Sequence, residues 1–386
     1  MSGDRGARIH SMDALRASTM LLLVPVHAAT LLALNGHPGA WATAIYWSIH
    51  VFRLPLFFAR SGFFLALLLS RKGLSSTVRN RTVRIAVPLG LGLVTLVPLM
   101  MLFARETGTA LTPSHDLSAT TPFTFEPSFL WFLWYLLFID GAAIALYLIA
   151  PGLLRAGGER LCALIGRPLG GIPLLAFPTM LALWPDAGWT AAPTTATFMP
   201  DWSVLAYYAL FFSLGATLCV HRELVAAAAR DAWRWGACAL LAVLPASLLF
   251  SLHNSGSYGS EPIVHGAALL IYAIATWSSL LALIGFADRY LDRPRPVLRY
   301  MADSSYWIYL SHMPAMVLIV GTIGATALGT VPQFVLVTAG SLAFSLLTYP
   351  VFVRYTVIGR VLNGPRRRTR RRWPFGPRLI PRSAAG

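Results

Sequence analysis

The chain has 386 residues, of which 56% are hydrophobic and only 12% are charged. Soluble globular proteins have about 25% charged residues, so this composition excludes an ordinary water-soluble protein. The formal net charge is +16, but the basic residues lie between long apolar runs, which is not typical of a nucleic-acid-binding protein. The three cysteines, Cys162, Cys219 and Cys238, show neither metal-ligand nor disulfide spacing, and we expect no metal site.

Apolar segments along the whole chain predict membrane-spanning helices. Each is about 18 to 25 residues long, which is enough to cross a bilayer, and a spanning backbone must satisfy its own hydrogen bonds. In chain order we predict spans at Ala14–Leu34, Thr43–Ser70, Val83–Ala104, Ser128–Ala150, Leu169–Trp184, Ser203–Val220, Trp235–Leu252, Ile263–Phe286, Met301–Ala327 and Gln333–Ile358. The predicted fold class is an all-α, polytopic integral membrane protein with about ten transmembrane helices. One membrane domain is predicted over residues 1–360.

The arginines predict how these spans are oriented, because Lys and Arg concentrate in short cytoplasmic loops. With the N-terminus inside, the cytoplasmic stretches contain Arg5, Arg8, Arg71, Lys72, Arg79, Arg81, Arg84, Arg155, Arg160, Arg167, Arg222, Arg230, Arg234, Arg289, Arg293, Arg295, Arg299 and the run from Arg366 to Arg372. Only Arg105 lies on the opposite side. Both termini are therefore predicted to be cytoplasmic, in the cytoplasmic (inner or plasma) membrane. Residues 361–386 are expected to form a basic, disordered tail attracted to membrane lipids.

The first span contains two ionisable side chains, Arg16 and His27. Eleven residues of helix make three turns plus about 20°, so the two share a face and lie ~16 Å apart. An ionisable group at membrane depth usually faces the bundle interior and belongs to a functional site. Arg16 alone could instead be an anchor at the membrane surface, and His27 could be a satisfied interior histidine.

The second span contains Arg53 and Arg60, seven residues apart and therefore on one helix face. Asp140 and Asp303 are the candidate buried acids, which leaves a surplus of positive charge suited to an anionic guest. Alternatively, each arginine pairs with an acid or a backbone carbonyl. Pro55 can open the helix locally and free carbonyl groups to line a site.

Before the third span, Arg81 and Arg84 form an Arg-x-x-Arg pair. At this spacing the two guanidinium groups can bind phosphate together. An ordinary cytoplasmic anchor explains the pair equally well.

The ninth span begins with a polar stripe from Asp303 to His312 that includes Tyr309. Such a stripe usually lines an interior cavity. The chain has no Walker A loop, no Gly-x-Ser-x-Gly elbow, no His-Glu-x-x-His motif and no Ser-x-x-Lys motif. Phosphoryl transfer and metal-dependent hydrolysis therefore have no support.

Taken together, these motifs resemble the membrane acyltransferase-3 family. The matching segments are Met12–Arg16 with His27, Arg53–Phe58, Ser61–Phe64, Arg81-x-x-Arg84, Trp131–Leu133, Phe212–Gly215 and Ser305–Pro314. They extend over almost the whole chain, and the run Phe52–Phe58 is most similar to the glucan biosynthesis protein C branch. Arg60 and Phe129 depart from that branch, which usually has an apolar residue and often a histidine there.

The resemblance implies a membrane O-acyltransferase that moves an acetyl or succinyl group from cytoplasmic acyl-CoA to a hydroxyl of an extracytoplasmic or lipid-linked carbohydrate. Acyl-CoA is then a co-substrate and no cofactor is bound. The implied roles are general base for His27, donor guidance for Arg16, donor binding for Arg81, Arg84 and Arg53, and oxyanion or acceptor contacts for Arg53, Tyr309, His312, Trp131 and Arg60. A transporter of an anionic metabolite is the alternative, although paired repeats with broken helices are missing from the sequence.

Overall fold

A computed structural model describes residues 10–37, 40–111, 126–167, 171–185, 198–254, 261–324, 326 and 328–364. All regular elements within these ranges are helical. The α-helices are α1 His10–Leu34, α2 Ala40–Arg81, α3 Val87–Val94, α4 Leu96–Thr107, α5 Trp131–Ile149, α6 Pro151–Ile165, α7 Gly171–Leu183, α8 Trp202–Val220, α9 Glu223–Arg230, α10 Ala232–Asn254, α11 Pro262–Leu291, α12 Pro296–Ile323, α13 Thr330–Thr348 and α14 Val357–Asn363. Two π-helical turns, Thr82–Ala86 and Tyr349–Val353, continue α2 and α13.

Eight helical stretches in the described ranges are long and apolar enough to cross a membrane. One of them, Ala44–Thr107, is 64 residues long and contains the second and third predicted spans. The fifth predicted span corresponds to α7, which has only 13 residues. The all-α class is confirmed, and the chain is an integral membrane protein. The number of ten spans and the cytoplasmic position of the termini stay predictions.

Helix α2 differs from its prediction in where it breaks. It stays helical through Pro55, and its non-helical residue is Gly73, with φ 73° and ψ 177°. Proline removes one N–H group and leaves one carbonyl without its helical partner, which a packed helix tolerates. A positive φ is open to glycine at little cost, so the chain changes direction at Gly73.

The connections on the arginine-rich side contain helices that the hydropathy pattern did not predict. These are α6, α9 and α14, each following a predicted span. The last predicted span, Gln333–Ile358, is too long at its C-terminal end, because the helix ends at Val353 and the chain turns before α14. Helix α14 extends beyond residue 360 to Asn363, and residues 365–386 of the predicted tail lie outside the described ranges, as do Arg5 and Arg8.

Close contact between α2 and α8 fixes the position of the central arginine-bearing helix. A Cβ atom on Gly62 would overlap the carbonyl oxygen of Phe212, and one on Gly215 would overlap that of Ala59. Two glycines thus allow the two backbones to touch at their crossing. Helix α1 packs against α2 and α12, so it lies beside the other helices that bear polar side chains.

Candidate active site

Two cavities of different character lie between these helices and meet inside the bundle. The larger, which we call the arginine cavity, has a volume of about 1690 Å³. The smaller, which we call the histidine cavity, has a volume of about 290 Å³. Met20, Phe57, Phe132 and Tyr309 line both cavities. These four residues form the boundary that the two cavities share, which we call the junction.

The arginine cavity carries a large excess of positive charge. Its charged lining consists of two aspartates and seven arginines: Asp13, Asp303, Arg16, Arg60, Arg81, Arg84, Arg299, Arg354 and Arg360. A cleft lined mainly by one sign of charge concentrates ligands of the opposite sign. This cavity therefore suits a ligand with several negative charges.

Arg81 is held against α2 by its own hydrogen bonds. Its Nη1 donates to Ser61 Oγ at 3.1 Å and its Nη2 to the Ser61 carbonyl oxygen at 2.8 Å. Its Nε lies 3.6 Å from Asp140 Oδ2. On a straight helix the twenty residues from Ser61 to Arg81 would span ~30 Å, so these contacts depend on the reversal at Gly73.

Arg84 keeps more of its donors available to a ligand. Its Nη2 donates to the carbonyl oxygen of Asn363 at 3.1 Å, which ties it to α14. The Tyr306 hydroxyl donates to the Arg84 carbonyl oxygen at 2.5 Å. Arg81 and Arg84 therefore line one cavity, as their spacing predicts, but Arg81 is the more committed to internal contacts.

Arg16 and Arg60 line the arginine cavity about one helical turn from the junction residues Met20 and Phe57, respectively. The Arg60 guanidinium lies 5.3 Å from the centre of the Phe64 ring, and its Nε has no hydrogen-bond partner among the described residues. The buried acid Asp140 contacts Arg81 and not Arg60. Arg60 thus presents positive charge to whatever fills the cavity.

His27 lines the histidine cavity, at the opposite end of α1 from Arg16. Its Nδ1 lies 3.1 Å from Met313 Sδ, and its ring meets the His312 ring edge-on with centroids 5.1 Å apart. A thioether sulfur can only accept a hydrogen bond, so this contact favours the tautomer with a proton on Nδ1. In that tautomer Nε2 carries a lone pair and can accept a proton.

His312 lies behind His27 and lines neither cavity. Its Nδ1 contacts the carbonyl oxygens of Ile308 at 3.0 Å and Tyr309 at 2.8 Å. Carbonyl oxygens only accept, so Nδ1 carries the proton. Its buried Nε2 has no partner in the part of the chain that the structure describes. Neutral His312 therefore offers a lone pair, and no donor, at Nε2.

Arg53 brings positive charge to the histidine cavity. It is 2% exposed, and its Nε and Nη1 have no hydrogen-bond partner within the described ranges. No ion pair joins it to a carboxylate there, although Glu126 lines the same cavity. A buried guanidinium with unused donors is costly unless a ligand or water satisfies it, so Arg53 is suited to bind an anion or a developing negative charge.

Tyr309 and Trp131 complete the walls near the junction. The Tyr309 hydroxyl donates to the carbonyl oxygen of Phe129 at 3.0 Å. Trp131 packs at 5.9 Å from the Tyr208 ring and lines the histidine cavity. Tyr309 lines a cavity, as the polar stripe predicts. Phe129 contributes its backbone carbonyl group as the hydrogen-bond acceptor of Tyr309.

The structure adds residues that sequence reasoning missed. Arg299, Arg354 and Arg360 line the arginine cavity, and Met313 contacts His27. An arginine inside the predicted tenth span was the signal that could have identified Arg354. A separate group of possible metal ligands, Cys162, His221 and Glu223, lies outside both cavities with ligand atoms within 4.8 Å of one another. Because Cys162 is distant in the sequence from His221 and Glu223, cysteine spacing could not reveal this group.

Comparison with known proteins identifies relatives over most of the chain. The profile of the acyltransferase-3 family, described as an acyltransferase domain, matches residues 9–350. Proteins named glucans biosynthesis protein C from Salmonella gallinarum and Salmonella agona are 24% identical over 337 residues, which is 81% of this chain and 84% of each relative. No solved structure matches the chain closely enough to count as a relative.

Proposed function

The chain belongs to the membrane acyltransferase-3 family, and from that premise we propose the substrates and the catalytic groups of its reaction. Membership makes it an acyl-transferring enzyme, and its apolar helices make it an integral membrane protein. The proposed reaction moves an acetyl or succinyl group from acyl-CoA to a hydroxyl group of a carbohydrate. The observation that supports it is the meeting of an arginine-lined cavity and a histidine-lined cavity at one junction.

The arginine cavity is the proposed donor site. CoA has a diphosphate and a 3′-phosphate at one end and the thioester at the other. Arginine forks bind phosphate oxygens well, and Arg84 has donors left for this task. With this cavity open to the cytoplasm, Arg16 and Arg60 lie along the path of the pantetheine arm, and the thioester reaches the junction.

His27 is the proposed general base. The acceptor hydroxyl gives its proton to His27 Nε2 while its oxygen attacks the thioester carbonyl carbon. When the tetrahedral intermediate collapses, the carbon–sulfur bond breaks and the CoA thiolate takes a proton, which His27 can return. The products are CoA and the acyl ester.

Arg53 is the proposed stabiliser of the oxyanion formed at the thioester carbonyl. The main requirement for this role is a hydrogen-bond donor that is already fixed in a buried site. The N–H groups of Arg53 that lack partners meet this requirement. The Tyr309 hydroxyl donates its proton to Phe129, and neutral His312 has no proton on Nε2. Tyr309 and His312 are therefore better suited to positioning His27 and the junction than to donating a hydrogen bond to the oxyanion.

The proposed acceptor is a glucan or related polysaccharide, extracytoplasmic or lipid-linked. The relatives' name supports a glucan, and Trp131 offers an apolar ring face to a sugar beside His27. Arg60 adds a cation on the donor side, which suits a dicarboxylic acyl group such as succinyl.

Purified protein in lipid nanodiscs tests this proposal with acetyl-CoA and succinyl-CoA as donors. Release of the CoA thiol and the mass of the acylated glucan report turnover. For correctly inserted His27→Ala we expect a loss of about 10²- to 10⁴-fold, the usual contribution of a general base. His221→Ala is the control, because His221 lies outside both cavities. Turnover by His27→Ala at the unaltered rate would overturn the role of His27.

A further inference from the structure

A cluster of cations and aromatic rings at one end of the arginine cavity has no part in the chemistry described above. It consists of Arg299, Tyr300, Arg354, Tyr355 and Arg360. We infer that this cluster, the arginine–tyrosine rim, is the subsite for the adenosine 3′-phosphate 5′-diphosphate end of acyl-CoA. The inference rests on the proposed function, since it takes acyl-CoA as the donor.

Arg354 is held between two tyrosine rings. Its guanidinium carbon lies 5.6 Å from the centre of the Tyr300 ring and 5.4 Å from that of Tyr355. A guanidinium group stacks with its flat face on an aromatic ring. Its N–H bonds lie in its own plane and point outward, so stacking leaves them available as donors. Arg354 is thereby oriented with free donors for a phosphate.

The charge of this rim is uncompensated. Within the described ranges no salt bridge joins Arg299, Arg354 or Arg360 to a carboxylate. Other arginines of this cavity do have acidic neighbours: Arg81 Nε lies 3.6 Å from Asp140 Oδ2, and Arg16 interacts with Asp13 and Asp303. The rim is therefore the part of the cavity where an anionic ligand neutralises the most unpaired charge.

The backbone around Arg354 is built in an unusual way. A π-helical turn, Tyr349–Val353, ends α13, and the chain turns before α14 begins at Val357. The other π-helical turn, Thr82–Ala86, contains Arg84. π-helical turns are rare and frequent at functional sites, and both of these present an arginine to the same cavity.

The rim lies in the cavity that the charged end of the donor is proposed to occupy. The junction residues that receive the thioester line both cavities, whereas every residue of the rim lines the arginine cavity alone. The charged end of CoA must lie away from the junction when the thioester is at it. Arg354 lies over the Tyr355 ring, but Tyr355 is still 66% exposed, which leaves aromatic surface for contact with the purine base.

Truncated donors test the inference directly. The comparison uses Arg354→Ala with acyl-CoA, with the same acyl group on dephospho-CoA, and with the same acyl group on 4′-phosphopantetheine, which lacks the nucleotide. We expect KM for acyl-CoA to rise about tenfold or more, the effect of losing one charge-assisted hydrogen bond, with kcat nearly unchanged. KM for the phosphopantetheine donor should not change.

Arg289→Ala is the matched control. Arg289 also lies over the ring of the residue that follows it, Tyr290, at 5.4 Å, but it lines neither cavity. Its KM for every donor should equal that of the unaltered protein. Tyr355→Ala removes an exposed ring, and it tests the same subsite if Arg354→Ala fails to fold.

Two results would overturn the inference while leaving the proposed function intact. One is an equal rise of KM for acyl-CoA and for the phosphopantetheine donor in Arg354→Ala. The other result would identify the rim as a lipid-binding site. In that case adenosine 3′,5′-bisphosphate fails to bind in neutral-lipid nanodiscs, and KM for acyl-CoA of Arg354→Ala differs from that of the unaltered protein only in anionic lipid. Failure of the unaltered protein to turn over any acyl-CoA would instead contradict the proposed function.

Discussion

At the scale of single residues, the two contacting histidines differ in what their hydrogen bonds allow. His27 contacts a sulfur through Nδ1 and lines a cavity, while His312 donates to two backbone carbonyls and lines none. The first is positioned to take a proton from a ligand. The second can fix the ring of the first through their edge-on contact, 5.1 Å between centroids. In the proposed mechanism, His27 is therefore the group that reacts and His312 the group that positions it.

Arg53 gives a sharper test of the site than substitution of a histidine. In Arg53→Met the side chain keeps an apolar stem but loses all N–H donors, so oxyanion stabilisation is lost while donor binding in the arginine cavity remains. We expect kcat to fall about 10²- to 10³-fold, as for other oxyanion donors, with KM for acyl-CoA changed little.

The split between kcat and KM in steady-state kinetics checks this role for Arg53. Arg53→Lys keeps the positive charge but loses the planar set of guanidinium N–H donors, so it should recover only part of kcat. A variant in which KM rises and kcat stays constant would mean that Arg53 binds substrate and does not act on the transition state.

The sequence could predict which ionisable residues lie inside the bundle but not the contacts that each one makes. Helical spacing placed Arg16 and His27 on one face, and both line connected cavities. Arg81 contacts Ser61 across the reversal at Gly73, and His27 contacts Met313 on another helix, so these contacts join residues that are distant in the sequence. Spacing does not encode such contacts, because the fold brings these groups together.

At the scale of helices, the reciprocal glycine contact between α2 and α8 determines where Arg53 and Arg60 lie. Gly215→Ala would push a methyl group into the Ala59 carbonyl oxygen. Overpacking at a helix crossing costs about 1–3 kcal/mol, so we expect a lower unfolding temperature and reduced turnover.

Thermal unfolding in detergent, followed by circular dichroism, measures the effect of Gly215→Ala. Gly141→Ala in α5 is the matched control, since a Cβ there meets nothing within 4 Å and alanine favours a helix. Equal unfolding temperatures for the two variants would contradict the close approach of α2 and α8.

The reversal at Gly73 is the element that brings Arg81 to the cavity. Alanine at a φ of 73° is strained by about 1–2 kcal/mol, and relaxation of that strain would move Arg81 away from Ser61. We expect Gly73→Ala to raise KM for acyl-CoA several-fold with a smaller effect on kcat.

Gly36→Ala is the control for Gly73→Ala, and donor-concentration series compare the two. Gly36, just after α1, also has a positive φ of 85°, and a Cβ there likewise meets nothing within 4 Å, so alanine is strained at both positions without a clash. If both substitutions change KM equally, strain in general and not the reversal at Gly73 explains the result.

The sequence predicted the positions of the long helices better than the structure of the segments that connect them. Long apolar runs predicted most spans to within a few residues, because burial in lipid demands both length and hydrophobicity. The helices α6, α9 and α14 are short and polar on one side, and they form by packing on the spans. Hydropathy alone does not reveal such elements.

At the scale of the whole molecule, the reaction needs the two cavities to open to opposite sides of the membrane. In the proposed reaction the donor is cytoplasmic acyl-CoA and the acceptor is outside or lipid-linked, so only the acyl group would cross at the junction. The arginine cavity lies at the side of the bundle rich in basic connections, and the positive-inside tendency assigns that side to the cytoplasm. This orientation is the feature of the proposal that a single experiment can refute.

Cysteine labelling tests the orientation with residues at the two ends of α8. Cys162 lies near His221, just after α8, whereas Met199 lies just before α8 and is 76% exposed. In a background with Cys219→Ser and Cys238→Ser, an impermeant maleimide should label Cys162 only after the cells are permeabilised. In the same background with Cys162→Ser added, Met199→Cys should be labelled in intact cells. The reverse pattern would place the arginine cavity outside, where cytoplasmic acyl-CoA cannot reach it, and the proposed donor route would fail.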